Sequence, residues 1–428
     1  MLTSSPLPTS PQRANFWNLY WDVFWFGVLQ GSAIAFIAVY ATRAGAAAFQ
    51  VSLITSGPAI INLLFSLPAG RWLEKRDMTR IAFHTSVWHR LGYFAFIGLP
   101  WLLPPAAQAW AIPVIIILMA IPGTILAIAF NAMFADVVPP EWRGAVIGRR
   151  NALLSISSTL TALLCGQLLD RLPFPLNYQV VFTIGAVGAA LSSYYLGRLR
   201  APESLPPRVG RPLLDPARPN GAQFTEAARP AGLRFLTRSR MKALLRPDLL
   251  RGPFGLLLLA YLAFYTFQYT SIPLMPLFWV RDLKLTDGVI SIGNAIFYGA
   301  LLITSIALTR LTARFSHRRL LTISAAFFGV YPLLNGLAWD ALLYYAASLE
   351  GGIVWGVLGA ALVNRLMERV PEDDRPAHMA LHNLALNLGI LLGSLFGPLL
   401  VNIFSPREAL LITAGLRVLG AILLGVWA

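Results

Sequence analysis

Long apolar runs separated by short polar segments divide the chain into regular blocks. The runs are roughly 20 residues long, which is the length that an α-helix needs to cross the hydrocarbon core of a bilayer. Charged residues, prolines and glycines bound them. The pattern predicts twelve transmembrane helices in a six-plus-six array: 16–41, 51–70, 81–103, 110–135, 151–169, 178–197, 253–279, 288–309, 320–338, 341–364, 378–403 and 408–428. We therefore expect an all-α integral membrane protein.

The composition agrees with this pattern and leaves no room for a large soluble domain. The 428 residues are 57% hydrophobic and only 12% charged, about half the charged fraction of an average soluble domain. The sequence has no phosphate-binding G-x-x-x-x-G-K-[ST] loop, and no pattern suggests a nucleophile triad. Its single cysteine, Cys165, rules out a cysteine-rich metal site. We expect neither an enzyme, nor a cofactor, nor a metal centre.

Lysine and arginine residues indicate the orientation, because cationic flanks stay in the cytoplasm during insertion. Most of the 34 lie in loops that are cytoplasmic if both termini are inside. The net charge of +15 follows from this topology, so we expect no nucleic-acid partner. The expected location is the cytoplasmic (inner) membrane, as a multi-pass protein.

A basic segment joins the two predicted six-helix bundles. Its front part is rich in proline, glycine and arginine and cannot bury enough apolar surface to fold alone. Its back part, 232–246, places leucines near one helical face and Arg234, Arg238 and Lys242 mostly elsewhere. This pattern is typical of a helix lying on anionic lipid. The predicted units are a cytoplasmic tail, a first bundle, the basic linker and a second bundle: 1–15, 16–197, 198–252 and 253–428.

The two halves of the chain repeat each other. A shift of 238 residues superposes Gln30 on Gln268 and Arg43 on Arg281, and similar shifts superpose the cytoplasmic loops. Such internal repeats are common in secondary transporters.

The loop after the second predicted helix carries a recognisable motif. It reads Gly70-Arg-Trp-Leu-Glu-Lys-Arg-Asp-Met-Thr-Arg80 and resembles the signature G-x-L-a-D-R-x-G-R-R of the major facilitator superfamily. Glu74 replaces Asp, Lys75 replaces Arg and Asp77 replaces the second Gly. With the helix number, the repeat and the basic central loop, the chain resembles this family over nearly its full length. The resemblance implies two pseudo-symmetric bundles around one site that opens alternately to the two sides.

The resemblance also implies a gate on the cytoplasmic side, in which the acid and base of this motif bridge to neighbouring helix ends. Lys75 or Arg80 would then pair with Asp136, and Arg314 with Glu368. The predicted gate motif comprises Gly70, Glu74, Lys75, Arg80, Asp136, Arg143, Arg314, Glu368 and Arg375. A fourth-helix arginine and a fifth-helix exporter pattern of the family are missing from this sequence, which weighs against proton-driven antiport.

Four charged residues fall inside predicted helices, where charges are costly and are usually paired or functional. Asp22 and Arg90 lie in the first and third helices. Glu350 and Arg417 lie in the tenth and twelfth, at matching depth. Both combinations can form structural ion pairs. The alternative is that Asp22 or Glu350 faces a cavity and binds a proton or a cation.

Amide and aromatic side chains near the middle of the first and seventh helices are candidates for a central cavity. Such groups suit an uncharged or amphipathic organic solute, although the same groups also link helices to each other. The candidates are Phe26, Gln30, Asn131, Tyr261, Tyr265, Gln268, Tyr269 and Asn364. His378 and His382 have metal-ligand spacing, but we expect them to be solvated at a cytoplasmic helix end.

These features predict a secondary transporter or facilitator that moves a small organic solute by alternating access. Efflux of an amphipathic compound, with or without proton coupling, is the favoured form. Uptake of a neutral nutrient is an alternative. A transporter-like protein that senses a ligand or assists assembly without transport is the rival from another class. We expect a monomer.

Overall fold

The computed structural model describes residues 9–73, 76–200, 247–371 and 375–427, and every regular element in these ranges is helical. The predicted amphipathic helix at 232–246 lies outside the described residues, as does most of the predicted linker. A short 3-10 helix, Pro247–Arg251, leads into the second bundle.

Twelve helical segments follow one another in the predicted order, which confirms the all-α fold. The first bundle contains α1 Ser10–Arg43, α2 Ala48–Leu73, α3 Met78–Leu102, α4 Pro105–Val137, α5 Pro140–Arg171 and α6 Leu176–Gly197. The second bundle contains α7 Pro253–Asp282, α8 Asp287–Arg314, α9 His317–Leu337, α10 Ala341–Arg369, α11 Arg375–Ile403 and α12 Pro406–Trp427.

Eleven of these segments contain stretches long and apolar enough to cross a membrane. The remaining one, α3, has 25 residues, but two arginines and two histidines lower its mean hydropathy. Helix α5 begins eleven residues before the predicted start, at Pro140. Proline is favoured at the first position of a helix because its missing N–H group would have no intrahelical partner there.

Three of the helices are interrupted. Helix α1 contains a π-helical turn at Gln30–Ile34. The regular part of α7 ends at Thr270 and resumes at Leu274, because Pro273 cannot donate a backbone hydrogen bond. Helix α9 is broken between Phe327 and Val330. Such breaks leave backbone carbonyls that need other donors.

Glycines bring helices into close contact in both bundles. In the second bundle, Gly389, Gly393 and Gly397 of α11 lie against α7, and a methyl group added at Gly393 would overlap the carbonyl oxygen of Thr266. These glycines therefore allow α11 and α7 to approach each other closely. In the first bundle, Gly31 of α1 lies equally close to the backbone of α5. The same helix contact is therefore built twice, as the sequence repeat predicts.

The buried apolar residues are distributed differently at the two faces. Towards the outer face, one continuous cluster contains residues of both bundles, such as Phe36 and Phe278. Towards the cytoplasm, one cluster belongs to the first bundle. Another belongs to the second bundle apart from Ala59. Among the described residues, the bundles thus share an apolar cluster towards the outer face, whereas the clusters towards the cytoplasm belong almost entirely to one bundle each.

Candidate functional site

A buried cluster of charges lies in the cytoplasmic half of the first bundle. Asp22 Oδ1 is 3.7 Å from Arg90 Nη2, as the sequence predicts for this pair. Asp22 Oδ2 is 3.3 Å from Arg150 Nη2, and Ser192 Oγ donates a hydrogen bond of 2.7 Å to Oδ1. Arg90 also donates to Ser193 Oγ at 2.9 Å. One carboxylate therefore faces two guanidinium groups.

The sequence analysis missed Arg150, because it placed this residue in a loop before the fifth helix. In the structure α5 starts at Pro140, so Arg150 lies ten residues inside the helix. The Pro139-Pro140 pair is the sequence signal that could have located this start. The Arg150 guanidinium lies 4.7 Å from the ring centre of Phe130 and 5.7 Å from that of Phe134, both on α4.

Arg417 of α12 is fully buried and binds the interrupted parts of two other helices. Its guanidinium donates to the carbonyl oxygens of Phe328 and Gln268 at 3.0 Å each. It also donates to Ser271 Oγ at 2.6 Å. These acceptors are available because α7 and α9 are broken there. Arg417 thus links three helices of the second bundle.

The predicted Glu350–Arg417 ion pair is absent from the described contacts. Both carboxylate oxygens of Glu350 are buried and have no hydrogen-bond partner. The reason is packing: α12 packs on α7 and α9, whereas α10 packs on α8 and α9. Glu350 and Arg417 are close enough to interact electrostatically, but the broken helices supply Arg417 with closer hydrogen-bond acceptors.

Several predicted cavity residues lie near the contact between the bundles. Gln30 Nε2 donates to the hydroxyl of Tyr298 on α8 at 3.4 Å, and this bond crosses from one bundle to the other. Phe26 and Gln30 are partly exposed. Gln268 Oε1 and Asn131 Nδ2 are buried without a hydrogen-bond partner. Asn364 of α10 is partly buried.

The three predicted cavity tyrosines of α7 are all buried. The hydroxyl of Tyr261 donates to the carbonyl oxygen of Leu362 on α10 at 2.8 Å. The hydroxyl of Tyr265 lies 3.0 Å from His382 Nε2 on α11. Tyr269 lies one turn further along the helix. The polar groups of Tyr261 and Tyr265 therefore serve contacts between helices.

The two histidines of α11 differ from the expectation of solvated side chains. His378 is buried and its ring centre lies 4.4 Å from that of Phe254, while His382 contacts Tyr265. Both side chains lie between packed helices, because α11 begins at Arg375 and therefore earlier than predicted. Among the described residues, no group of three potential ligands is arranged to hold a metal ion.

Charged residues join the two bundles at the outer face. Arg43 at the end of α1 lies 2.8 Å from Asp287 of α8 and donates to the carbonyl oxygen of Leu285 at 2.9 Å. Arg281 at the end of α7 donates to the carbonyl oxygen of Ala46 at 2.7 Å. The two arginines are related by the sequence repeat, and each binds the opposite bundle. Asp170 of α5 accepts from the backbone N–H of Gly288 at 2.9 Å.

The cytoplasmic gate motif is only partly within the described residues. Glu74, Lys75 and the side chain of Arg375 lie outside them, Gly70 is buried near the end of α2, and Asp136 lies in the last turn of α4.

The contacts of the described basic gate residues are local. Arg80 lies 3.4 Å from Asp77. Arg143 donates to the carbonyl oxygens of Val138 and Ala135 at the end of α4.

The predicted Arg314–Glu368 pair is absent among the described contacts. Arg314 is exposed. Glu368 instead lies 2.8 Å from Arg365 and 3.7 Å from His317.

Comparisons with known proteins agree with this architecture. A family model described as Major Facilitator Superfamily matches residues 23–256 and 257–428, and no curated protein matches the chain. The structure resembles the nucleoside transporter NupG with a TM-score of 0.69 at 12% identity, covering 96% of this chain and 99% of that chain.

Two further solved structures show the same likeness. A D-xylose-proton symporter gives a TM-score of 0.68 at 14% identity, covering 96% of each chain. A bacterial homologue of the human lysosomal transporter Spinster, inward-facing and unoccupied, gives 0.67 at 13% identity, covering 98% of each chain. At these identities the likeness shows the fold alone.

Proposed function

We propose that this chain, which belongs to the Major Facilitator Superfamily, is a secondary transporter that exports a small amphipathic organic solute by alternating access. Its site is the region between the bundles, and its location is the cytoplasmic membrane. The observation that carries the proposal is the unequal contact of the two bundles at the two faces.

At the outer face, Arg43, Asp287 and Arg281 connect the bundles above a shared apolar cluster. At the cytoplasmic face, the apolar clusters belong almost entirely to one bundle each. A conformation that is closed outside and divided inside gives a solute access from the cytoplasm. Opening the outer contacts and closing the inner ends would complete an alternating cycle.

The solute would bind against polar and aromatic groups at the middle of the membrane. Gln30 and Tyr298 face each other across the bundle contact, and Phe26 is partly exposed one turn away from Gln30. Gln268 contributes a buried amide oxygen without a partner. A few convergent polar groups among apolar side chains are typical of small-molecule sites.

Glu350 is our candidate for proton coupling. Asp22 is held by two arginines and a serine, whereas neither oxygen of Glu350 has a hydrogen-bond partner. A buried carboxylate that accepts no hydrogen bond is costly to keep charged in a membrane. Glu350 lies nine residues into α10, roughly 13 Å below its outer end. Opening of the outer contacts would expose it to external water, where it could exchange a proton.

The cytoplasmic gate motif belongs to the opposite state of this cycle. When the inner ends close, the loop after α2 would approach α4, and Arg80 and Asp136 would come together. The second bundle would bring Arg314 towards Glu368 in the same way. In the present conformation the described partners lie within the same bundle: Asp77 for Arg80, and Arg365 and His317 for Glu368.

The test begins with a thermal-shift screen of aromatic acids, aromatic amines, nucleosides and pentoses on the purified protein. Each stabilising solute is then followed across proteoliposome membranes with and without a pH gradient. We expect a stabilising solute to move faster than through protein-free liposomes. Solutes that stabilise the protein but do not move would refute transport and support the sensor interpretation.

The coupling proposal is tested with the same liposomes. Glu350→Gln should abolish the dependence of flux on the pH gradient. Glu408→Gln, which changes an exposed acid at the outer end of α12, should leave it intact. If the wild-type flux does not depend on the pH gradient, the protein is a facilitator without proton coupling.

A further inference from the structure

We infer that the cluster of Asp22, Arg90 and Arg150 binds the anionic group of the transported solute, which is therefore an aromatic organic monoanion such as an aryl carboxylate. This inference rests on the proposed transport function and names the class of its substrate.

The cluster carries one more positive than negative charge. Asp22 is the only acid among the described ion-pair partners of Arg90 and Arg150, so one guanidinium charge is left uncompensated. Tyr20, on α1 beside this cluster, carries no charge when its phenol is protonated. A buried unbalanced arginine is costly in a membrane. A monoanion entering the cluster would restore neutrality, which provides the driving force for binding.

Hydrogen-bond donors are also in surplus. Arg90 Nε and Arg150 Nε are buried and have no acceptor. Asn131 Nδ2, on the turn of α4 that contacts Arg150, is likewise unused. Both oxygens of Asp22 are already engaged, Oδ1 by Ser192 and Arg90 and Oδ2 by Arg150. The group that satisfies these donors must therefore supply acceptors of its own, as a carboxylate does.

The surroundings of Arg150 favour an aromatic solute. The rings of Phe130 and Phe134 lie beside its guanidinium, and the Arg90 guanidinium is 5.9 Å from the ring centre of Phe26. An aryl ring attached to the carboxylate would pack on these faces.

Arg150 is the most accessible side chain of the cluster and lies towards the cytoplasmic end of its helix. The Arg150 side chain is 14% exposed, against 8% for Arg90 and 5% for Asp22. Arg150 lies ten residues from the start of α5, about 15 Å from its cytoplasmic end. It is therefore the first of the three side chains that an entering solute would reach.

The first experiment compares three probes that share one ring system: 2-naphthoate, 2-naphthamide and 2-naphthylmethylammonium. Their affinities for the wild-type protein are measured by titration calorimetry. We expect 2-naphthoate to bind at least tenfold more tightly than the other two. Equal affinities, or no binding of 2-naphthoate, would overturn the inference without the use of any variant.

The second experiment uses Arg150→Gln, which leaves the Asp22–Arg90 pair neutral and so should be compatible with folding. This variant should lose at least tenfold in 2-naphthoate affinity, whereas Arg150→Lys should retain most of it. Arg149→Gln removes an exposed arginine next in sequence and should change nothing. Unchanged affinity in folded Arg150→Gln would contradict the inference.

The failures of the two proposals can be told apart. If the amide or ammonium probe binds and crosses liposome membranes while 2-naphthoate does neither, transport stands and the anion site is refuted. If 2-naphthoate binds through Arg150 but does not cross, the anion site stands and transport is refuted.

Discussion

Two buried arginines show how the same residue type is stabilised in two different ways. Arg90 relies on a carboxylate and a serine. Arg417 relies on two backbone carbonyls and a hydroxyl, which the interruptions of α7 and α9 provide. Hydrogen bonds from a charged donor contribute about 1.5–3 kcal/mol each. Arg417 is therefore held without a described ion pair, and Glu350 accepts no hydrogen bond.

Because Arg417 makes hydrogen bonds and Glu350 accepts none, removing the two charges should change the free energy of unfolding by different amounts. Arg417→Met should lower the free energy of unfolding by about 2–4 kcal/mol, because three buried acceptors lose their donor. Glu350→Gln should change it by less than about 1 kcal/mol, because the carboxylate accepts no hydrogen bond. Thermal denaturation of the purified variants in one detergent measures both effects.

The double variant Glu350→Gln, Arg417→Met supplies the control. We expect the two effects to add, as they do for residues that share no contact. Rescue of the Arg417→Met protein by the second substitution would contradict this expectation and would show that the two charges interact.

Residue identities alone could locate the buried charges, but they could not pair all of them. Asp22 and Arg90 could be matched from their positions in the repeat, and the structure brings them together. Glu350 and Arg417 have the same apparent complementarity, yet Arg417 donates to the carbonyl oxygen of Phe328 at the break in α9. Pro332, four residues after Phe328, has no N–H group to donate to that carbonyl, but this local signal does not specify which distant side chain donates instead.

At the scale of elements, the glycines of α11 make a close helix contact with α7. Gly393→Ala places a methyl group against the carbonyl oxygen of Thr266 on α7, so one of the two helices must shift. We expect a loss of about 1–3 kcal/mol in the free energy of unfolding, the usual range for overpacking. Thermal denaturation measures it.

Gly415→Ala is the matched control, because nothing lies within 4 Å of a methyl group added at this position of α12. Alanine favours a helix over glycine by up to about 1 kcal/mol, so this variant should be equally or slightly more stable. Equal loss of stability in both variants would mean that the α7–α11 contact is not tight.

The order and approximate positions of all twelve helices could be predicted from apolar runs and their flanks. Two aspects of the elements could not. Helices α4 and α5 extend beyond the apolar runs, because a helix continues past the hydrocarbon layer wherever its polar residues permit. The π-helical interruption at Gln30–Ile34 contains no proline and depends on tertiary packing.

The linker between the bundles carries a prediction at the scale of the whole molecule. Residues 201–230 have a composition that cannot form a core, so their deletion should leave folding and flux nearly unchanged. The deletion shortens the linker but keeps the basic, leucine-rich segment 232–246. Size-exclusion chromatography and liposome flux would check this. Loss of the folded protein would show that the deleted segment packs on the bundles.

The proposed substrate charge and the proposed coupling are consistent with one direction of transport. An exported monoanion and an imported proton each move charge in the direction favoured by an inside-negative membrane potential. This potential contributes about 2.3 kcal/mol per elementary charge per 100 mV. In the proposed cycle, the membrane potential therefore drives export through both movements. Access from the cytoplasm and an anion site near that face would serve the same direction.

In the proposed cycle, the outer contacts would determine which face is open. Arg43 reaches Asp287 and the Leu285 carbonyl across the bundle contact, so Arg43→Gln removes a charged link that exists only when the outer face is closed. Hydrogen bonds of this kind contribute about 1.5–3 kcal/mol. Their loss should therefore raise the ratio of outward-open to inward-open protein at least tenfold.

Spin labels at Leu102 and Leu342 would report this ratio, because both are exposed at the outer ends of opposite bundles. The buried Cys165 is first replaced by alanine. Arg43→Gln should add a population with a longer distance between the labels. Arg171→Gln, which removes an exposed arginine at the outer end of α5, should not. If both variants keep the wild-type distance distribution, the outer arginines do not hold the bundles together, and the inward-open state must be stabilised by the shared apolar cluster alone.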